Sequence, residues 1–150
     1  MTGASESSKL LFPALLPFYE GAAPYVYPMV RFFAGAMLVP HGAQKLFGWF
    51  GGAGIDKTIA IFEKLGFNST LAWLVAIVEF FGGICIALGF LTRFWAAAAA
   101  IEFAVIAFYV LPPRGYYAME VALIWGIVLF AISLRGGGKW SLDRGTGREL

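Results

Sequence analysis

The chain has 150 residues, of which 60% are hydrophobic and 13% charged, with a formal net charge of +2. This length allows one domain, the composition excludes a soluble fold of that size, and basic residues this few and scattered exclude a nucleic-acid partner. One cysteine, Cys85, excludes an internal disulfide, and no metal-ligand spacing is present.

Residues 1–24 read as a polar tail followed by an interfacial segment. Lys9 precedes the run LLFPALLPF, but Pro13 and Pro17 break that run and no basic region leads it, so the stretch lacks the form of a cleaved signal. A hydrocarbon layer ~30 Å thick needs about 20 apolar residues at ~1.5 Å each, and four stretches between residues 25 and 134 meet that requirement. The first runs from about Tyr25 to Phe47, opened by Pro24 and Pro28 and closed by Gly48, Gly51, Gly52 and Gly54. The segment IDKTIAIFEKLGF then sets Ile55, Ile59, Phe62 and Leu65 or Gly66 on one face and Asp56, Lys57, Glu63 and Lys64 elsewhere, the pattern of a short helix on the membrane surface.

Asn68, Ser69 and Thr70 offer caps for a second span, about Leu71 to Leu91, in which Gly82, Gly83 and Gly89 permit close helix contact. A tight turn at Thr92 and Arg93 leads to a third span that opens on Ala96 to Ala100 and stops before Pro112 and Pro113. The fourth covers about Tyr116 to Leu134. Residues 135–150, glycine-rich, basic and without periodicity, read as a mobile tail. The expected fold is therefore all-α: a transmembrane four-helix bundle with a short interfacial helix between spans one and two. RFFAGAML in span one and RFWAAAAA in span three echo each other, as two parallel helical hairpins would, although any membrane interface gathers basic and aromatic residues.

With four crossings, both ends and the turn between spans two and three share one side. That side holds seven basic residues, Lys9, Arg31, Arg93, Arg135, Lys139, Arg144 and Arg148, against four on the other, Lys45, Lys57, Lys64 and Arg114. The imbalance predicts cytoplasmic termini.

Six ionisable residues fall within or at the edge of the spans: Arg31, His41, Lys45, Glu79, Glu102 and Glu120. A charge at the bilayer centre costs ~2.5–3.5 kcal/mol, so three lone ionised glutamates would together cost about 8–10 kcal/mol. Topology predicts a cluster of His41, Gln44, Lys45, Glu79 and Glu120 in the outer half. Glu102, near mid-depth, either faces it or forms a second polar pair with Arg31. His41 and Lys45 stand four apart on one helix, and Pro40 is expected to kink it and free the carbonyl of Ala36. Two readings stand side by side: ion pairs that hold helices together, or a small-molecule or proton-handling site. Trp125 is the tryptophan expected to face the interior, the others serving as interfacial anchors. No catalytic residue is assigned, because no phosphate loop, dinucleotide fingerprint or metal motif is present.

HGAQKLFG at the end of span one, EFFGGICIALGFLTR across span two and its turn, a glutamate opening span four and the closing GGGKWSLD together resemble the DoxX family of small four-helix membrane proteins. The resemblance implies a bacterial inner (plasma) membrane protein associated with an oxidoreductase that passes electrons to quinone, so quinone is the cofactor it implies. A lipid bilayer and a larger membrane complex are the partners implied. Two other functions stay open: an accessory or assembly subunit that docks through its glycine- and alanine-lined faces, and a small solute carrier.

Overall fold

Hydrocarbon offers a backbone no hydrogen-bond partner but itself, so long apolar segments there become helices. A computed structural model describes residues 11–146. The polar tail at 1–10, with Lys9, and the end of the basic tail at 147–150, with Arg148, lie outside the described residues. Helix α1 is Leu16–Phe47, α2 is Gly54–Lys64, α3 is Ser69–Leu88, α4 is Thr92–Val110, α5 is Tyr116–Arg135 and the short α6 is Leu142–Thr146. Four of them, α1, α3, α4 and α5, are long and apolar enough to cross a membrane. The predicted all-α bundle is the observed one, and the protein is an integral membrane protein.

The first span differs from expectation at its start. A 3-10 turn at Pro13–Leu15 leads directly into α1, which passes through Pro24, Pro28 and Pro40 without interruption. Pro17 falls in the first turn of α1, where a missing N–H costs nothing, whereas each inner proline removes only one bond from a helix long enough to carry the loss. Residues 16–24 are thus helical and continuous with the first span. Its C-terminal end is as predicted: Gly48 adopts the left-handed conformation, with φ +71°, that closes a helix.

The interfacial helix α2 exposes Asp56, Lys57, Glu63 and Lys64 and turns Ile55, Ile59 and Phe62 towards the bundle. Asn68 caps α3, its Oδ1 accepting from the Leu71 amide at 2.9 Å. Within the bundle, α1 packs chiefly on α3 and α5 on α4, so two helical hairpins lie side by side. The buried core between them is built largely from Ala34, Leu38, Ile86, Ala96, Ala99, Leu129 and Ile132. Small side chains let backbones come close, which is how helices gain packing energy without a hydrophobic drive. Large apolar residues such as Phe33, Met37, Ile101, Phe108, Ile127 and Phe130 point outward, the arrangement lipid permits. Trp125 packs on the core as expected, and so does Trp95.

The glycine-rich tail is folded rather than free. Asp143 reaches the α3–α4 turn: its carboxylate accepts from the Leu91 amide (2.7 Å), the Thr92 amide (3.0 Å) and the Thr92 hydroxyl (2.8 Å), while its own amide donates to Gly89 O at 2.9 Å. It is an N-cap for α4 delivered from a distant part of the chain. Trp140 stacks against Tyr25, and Tyr27 donates its hydroxyl to Gly136 O.

Candidate functional site

The crossing of α1 over α3 determines which polar groups can meet. Arg31, Gly35, Leu38 and Gly42 line one buried stripe of α1, with Lys45 next along it, spaced alternately four and three residues apart. A Cβ on Gly35 would overlap the Ala87 and Gly83 backbone, and one on Gly42 would overlap the Phe80 backbone. Gly83 in turn faces Gly35 and Leu38, and Gly82 lies under the Trp95 ring, 2.8 Å from where its Cβ would stand. The two helices therefore touch backbone to backbone. One turn beyond Gly42, Lys45 arrives beside Glu79.

Lys45 Nζ donates to Glu79 Oε2. The Glu79 side chain is 4% exposed and that of Lys45 27%, so the lysine reaches in from the α2 side and leaves its stem near the surface. Glu79 belongs to a π-helical turn, Val78–Gly82, inserted in α3. Such turns widen a helix by one residue and recur at functional positions.

Glu102 of α4 completes a triad. It is 8% exposed and in electrostatic reach of both Glu79 and Lys45. Neither of its carboxyl oxygens makes a hydrogen bond of good geometry among the described residues, and the Glu79 carboxyl lies close enough to act on it directly. A buried carboxyl inside a membrane protein is costly to keep ionised unless it is paired, protonated or hydrated.

The other predicted members make no hydrogen bond or ion pair with the triad among the described residues. His41 is exposed on the wall of α1, about 100° around the helix from Gly42, and Glu120 is half-buried with no hydrogen bond or ion pair among the described residues. Gln44 donates to Phe50 O at 3.4 Å and closes the loop after α1. The five-residue cluster is thus reduced to Lys45 and Glu79, with Glu102 in place of the rest.

Arg31 and Glu102 do not pair. Arg31, 3% exposed, donates Nη1 to Ile86 O (2.6 Å) and Ala87 O (2.9 Å) and Nη2 to Trp140 O (2.5 Å). These partners include the end of α3, where carbonyls lack intrahelical donors and the helix dipole is negative. Arg93 does the same for α5, donating Nη1 to Leu134 O at 2.5 Å and to Ser133 O at 3.3 Å. The echo between the two Arg-Phe-aromatic-Ala segments thus has a structural counterpart, since each arginine closes the C-terminal end of its hairpin partner. Gly89 sits inside this arrangement, with φ +74°.

A groove of about 550 Å³ runs between α4 and α5, lined by residues including Ala97, Ala100, Ala104, Gly126 and Phe130. It does not include the triad.

A family model, DoxX, matches residues 28–112. The match contains Lys45, Glu79 and Glu102 and stops before Glu120 and the folded tail. No curated protein and no solved structure matches the chain. The family match spans more than half of the residues, including all of α3 and α4, most of α1 and the whole polar triad, and on that basis the chain belongs to the DoxX family.

Proposed function

We propose that this DoxX protein is a subunit of the bacterial plasma membrane that works with a quinone-linked oxidoreductase, with both termini in the cytoplasm. The observation that carries the reading is the Lys45–Glu79–Glu102 triad, polar chemistry that a purely lipid-facing scaffold does not need. The excess of lysine and arginine on the side of the termini supports the orientation. The buried oxygens of Glu102 and the ammonium of Lys45 fit the hydroxyl and carbonyl groups of a quinone head. A bound quinone would supply electron and proton acceptance, while Lys45 would hold a carbonyl oxygen and Glu102 would hold or pass a proton.

The test is to quantify quinone in the lipid extract of gently purified protein and to measure quinone-dependent electron transfer in membranes carrying Glu102→Gln. Retained quinone, and a loss of about tenfold in rate, equivalent to ~1.4 kcal/mol, are expected. Background quinone with an unchanged rate would overturn the reading.

A second reading is supported by the α4–α5 groove: an accessory subunit that docks a helix of a larger complex there. A Cβ on Gly126 meets nothing closer than 3.6 Å, so Gly126→Leu fills the groove without displacing backbone. Loss of co-purifying subunits in that variant, with quinone content unchanged, would favour docking.

A further inference from the structure

The triad has a charge count that its pairing does not close. α1 contributes one ammonium, Lys45, whereas α3 and α4 each contribute a carboxyl, Glu79 and Glu102. The ionisable groups that act on Glu102 are Glu79 and Lys45. From α5, the other helix packed against α4, Glu120 makes no hydrogen bond or ion pair among the described residues. With both carboxyls ionised, one negative charge would remain uncompensated on nearly buried side chains inside a membrane bundle, a costly state. A single proton brings the sum to zero.

Geometry selects where that proton resides. The Lys45 ammonium is committed to Glu79 Oε2, and both Glu102 oxygens are buried without a hydrogen bond of good geometry among the described residues. The helices also pack tightly next to the site. Gly42 brings α1 against the Phe80 backbone directly beside it, and the large apolar groove passes along other residues. A proton needs no space beyond what these side chains already occupy.

We infer that Lys45, Glu79 and Glu102 form an intramembrane site for one exchangeable proton, held on Glu102 and exchanged with water through Lys45. In loading, the lysine passes an ammonium proton to the carboxyl pair and regains one from hydronium. The net change is carboxylate plus hydronium to carboxylic acid plus water. The inference deepens the quinone-linked reading, since it rests on the same triad.

Infrared spectroscopy of the full chain in lipid vesicles at neutral pH tests it, because a protonated carboxyl has a C=O stretch separate from carboxylate and amide bands and shifted by D2O. The wild-type protein is expected to show this band. Glu102→Gln removes it, and so does Glu79→Gln, because Lys45 then balances Glu102 alone. Lys45→Met strengthens it about twofold, as both carboxyls then need protons. Absence of the band in the wild-type protein, or its survival in either glutamine variant, overturns the proposal. Should a variant fail to insert, the wild-type spectrum decides by itself. A wild-type band combined with electron transfer that Glu102→Gln leaves untouched would keep the proton site and remove the quinone-linked reading.

Discussion

Arg31 and Gly89 compete for one small volume: Arg31 Nη1 lies 2.5 Å from the point where a Cβ on Gly89 would stand. Ser141 Cβ is equally close from the other side. The glycine therefore answers to three constraints together, its left-handed backbone, the guanidinium and the returning tail. Gly89→Ala should cost at least ~1–2 kcal/mol from backbone strain alone, with a further loss as Arg31 is pushed from its carbonyls. Thermal unfolding in detergent is expected at a lower temperature than for the wild type, with faster proteolysis beyond residue 136. Unchanged melting and cleavage would show that the tail does not dock here.

Asp143 is the polar anchor of that tail at the α3–α4 turn. It also supports Leu91, a non-glycine residue held at φ +48°. Asp143→Ala removes the hydrogen bonds accepted from Leu91 and Thr92 and should destabilise the protein by about 1–2 kcal/mol, the range of a lost helix cap. Hydrogen exchange at the Leu91 and Thr92 amides should accelerate, while amides in the middle of α4 stay protected. Asp143→Asn, which keeps one carbonyl acceptor, should show a smaller change. Equal exchange at Leu91 and Thr92 in all three proteins would count against the cap.

The two buried carboxyls should behave as substitutes for each other. Glu79→Gln leaves Glu102 to balance Lys45, and Glu102→Gln leaves the existing pair, so each single change should cost no more than about 1.5 kcal/mol. Removing both strands a buried ammonium, a cost of roughly 3–5 kcal/mol. The deficit of the double variant should therefore exceed the sum of the singles, and additive melting shifts would show that Lys45 does not couple to both.

The spans were readable because lipid imposes a long apolar run on any crossing helix, a signal that needs no knowledge of neighbours. The site was readable only in part. Lys45 and Glu79 stand out as ionisable residues at matching depth, but His41 drew attention through its spacing of four from Lys45. The buried stripe is the one marked by Arg31, Gly35, Leu38 and Gly42, and a heptad reading of the two glycines would have placed His41 on the lipid wall. Glu102 could not be assigned between two partners from depth alone, because helix rotation settles that choice. The tail misled for a different reason. Gly136, with φ +79°, and Gly138, with φ +73°, are the bends that return the chain to the bundle, and a compact turn has the same composition as a loose linker.

Asp143 also bears on the order in which this protein can mature. The start of the third membrane helix receives its cap from a residue synthesised some fifty positions later. During biosynthesis the first amides of α4 lack this cap until α5 and the polypeptide behind it have been made, so the end of the bundle that carries the tail locks last.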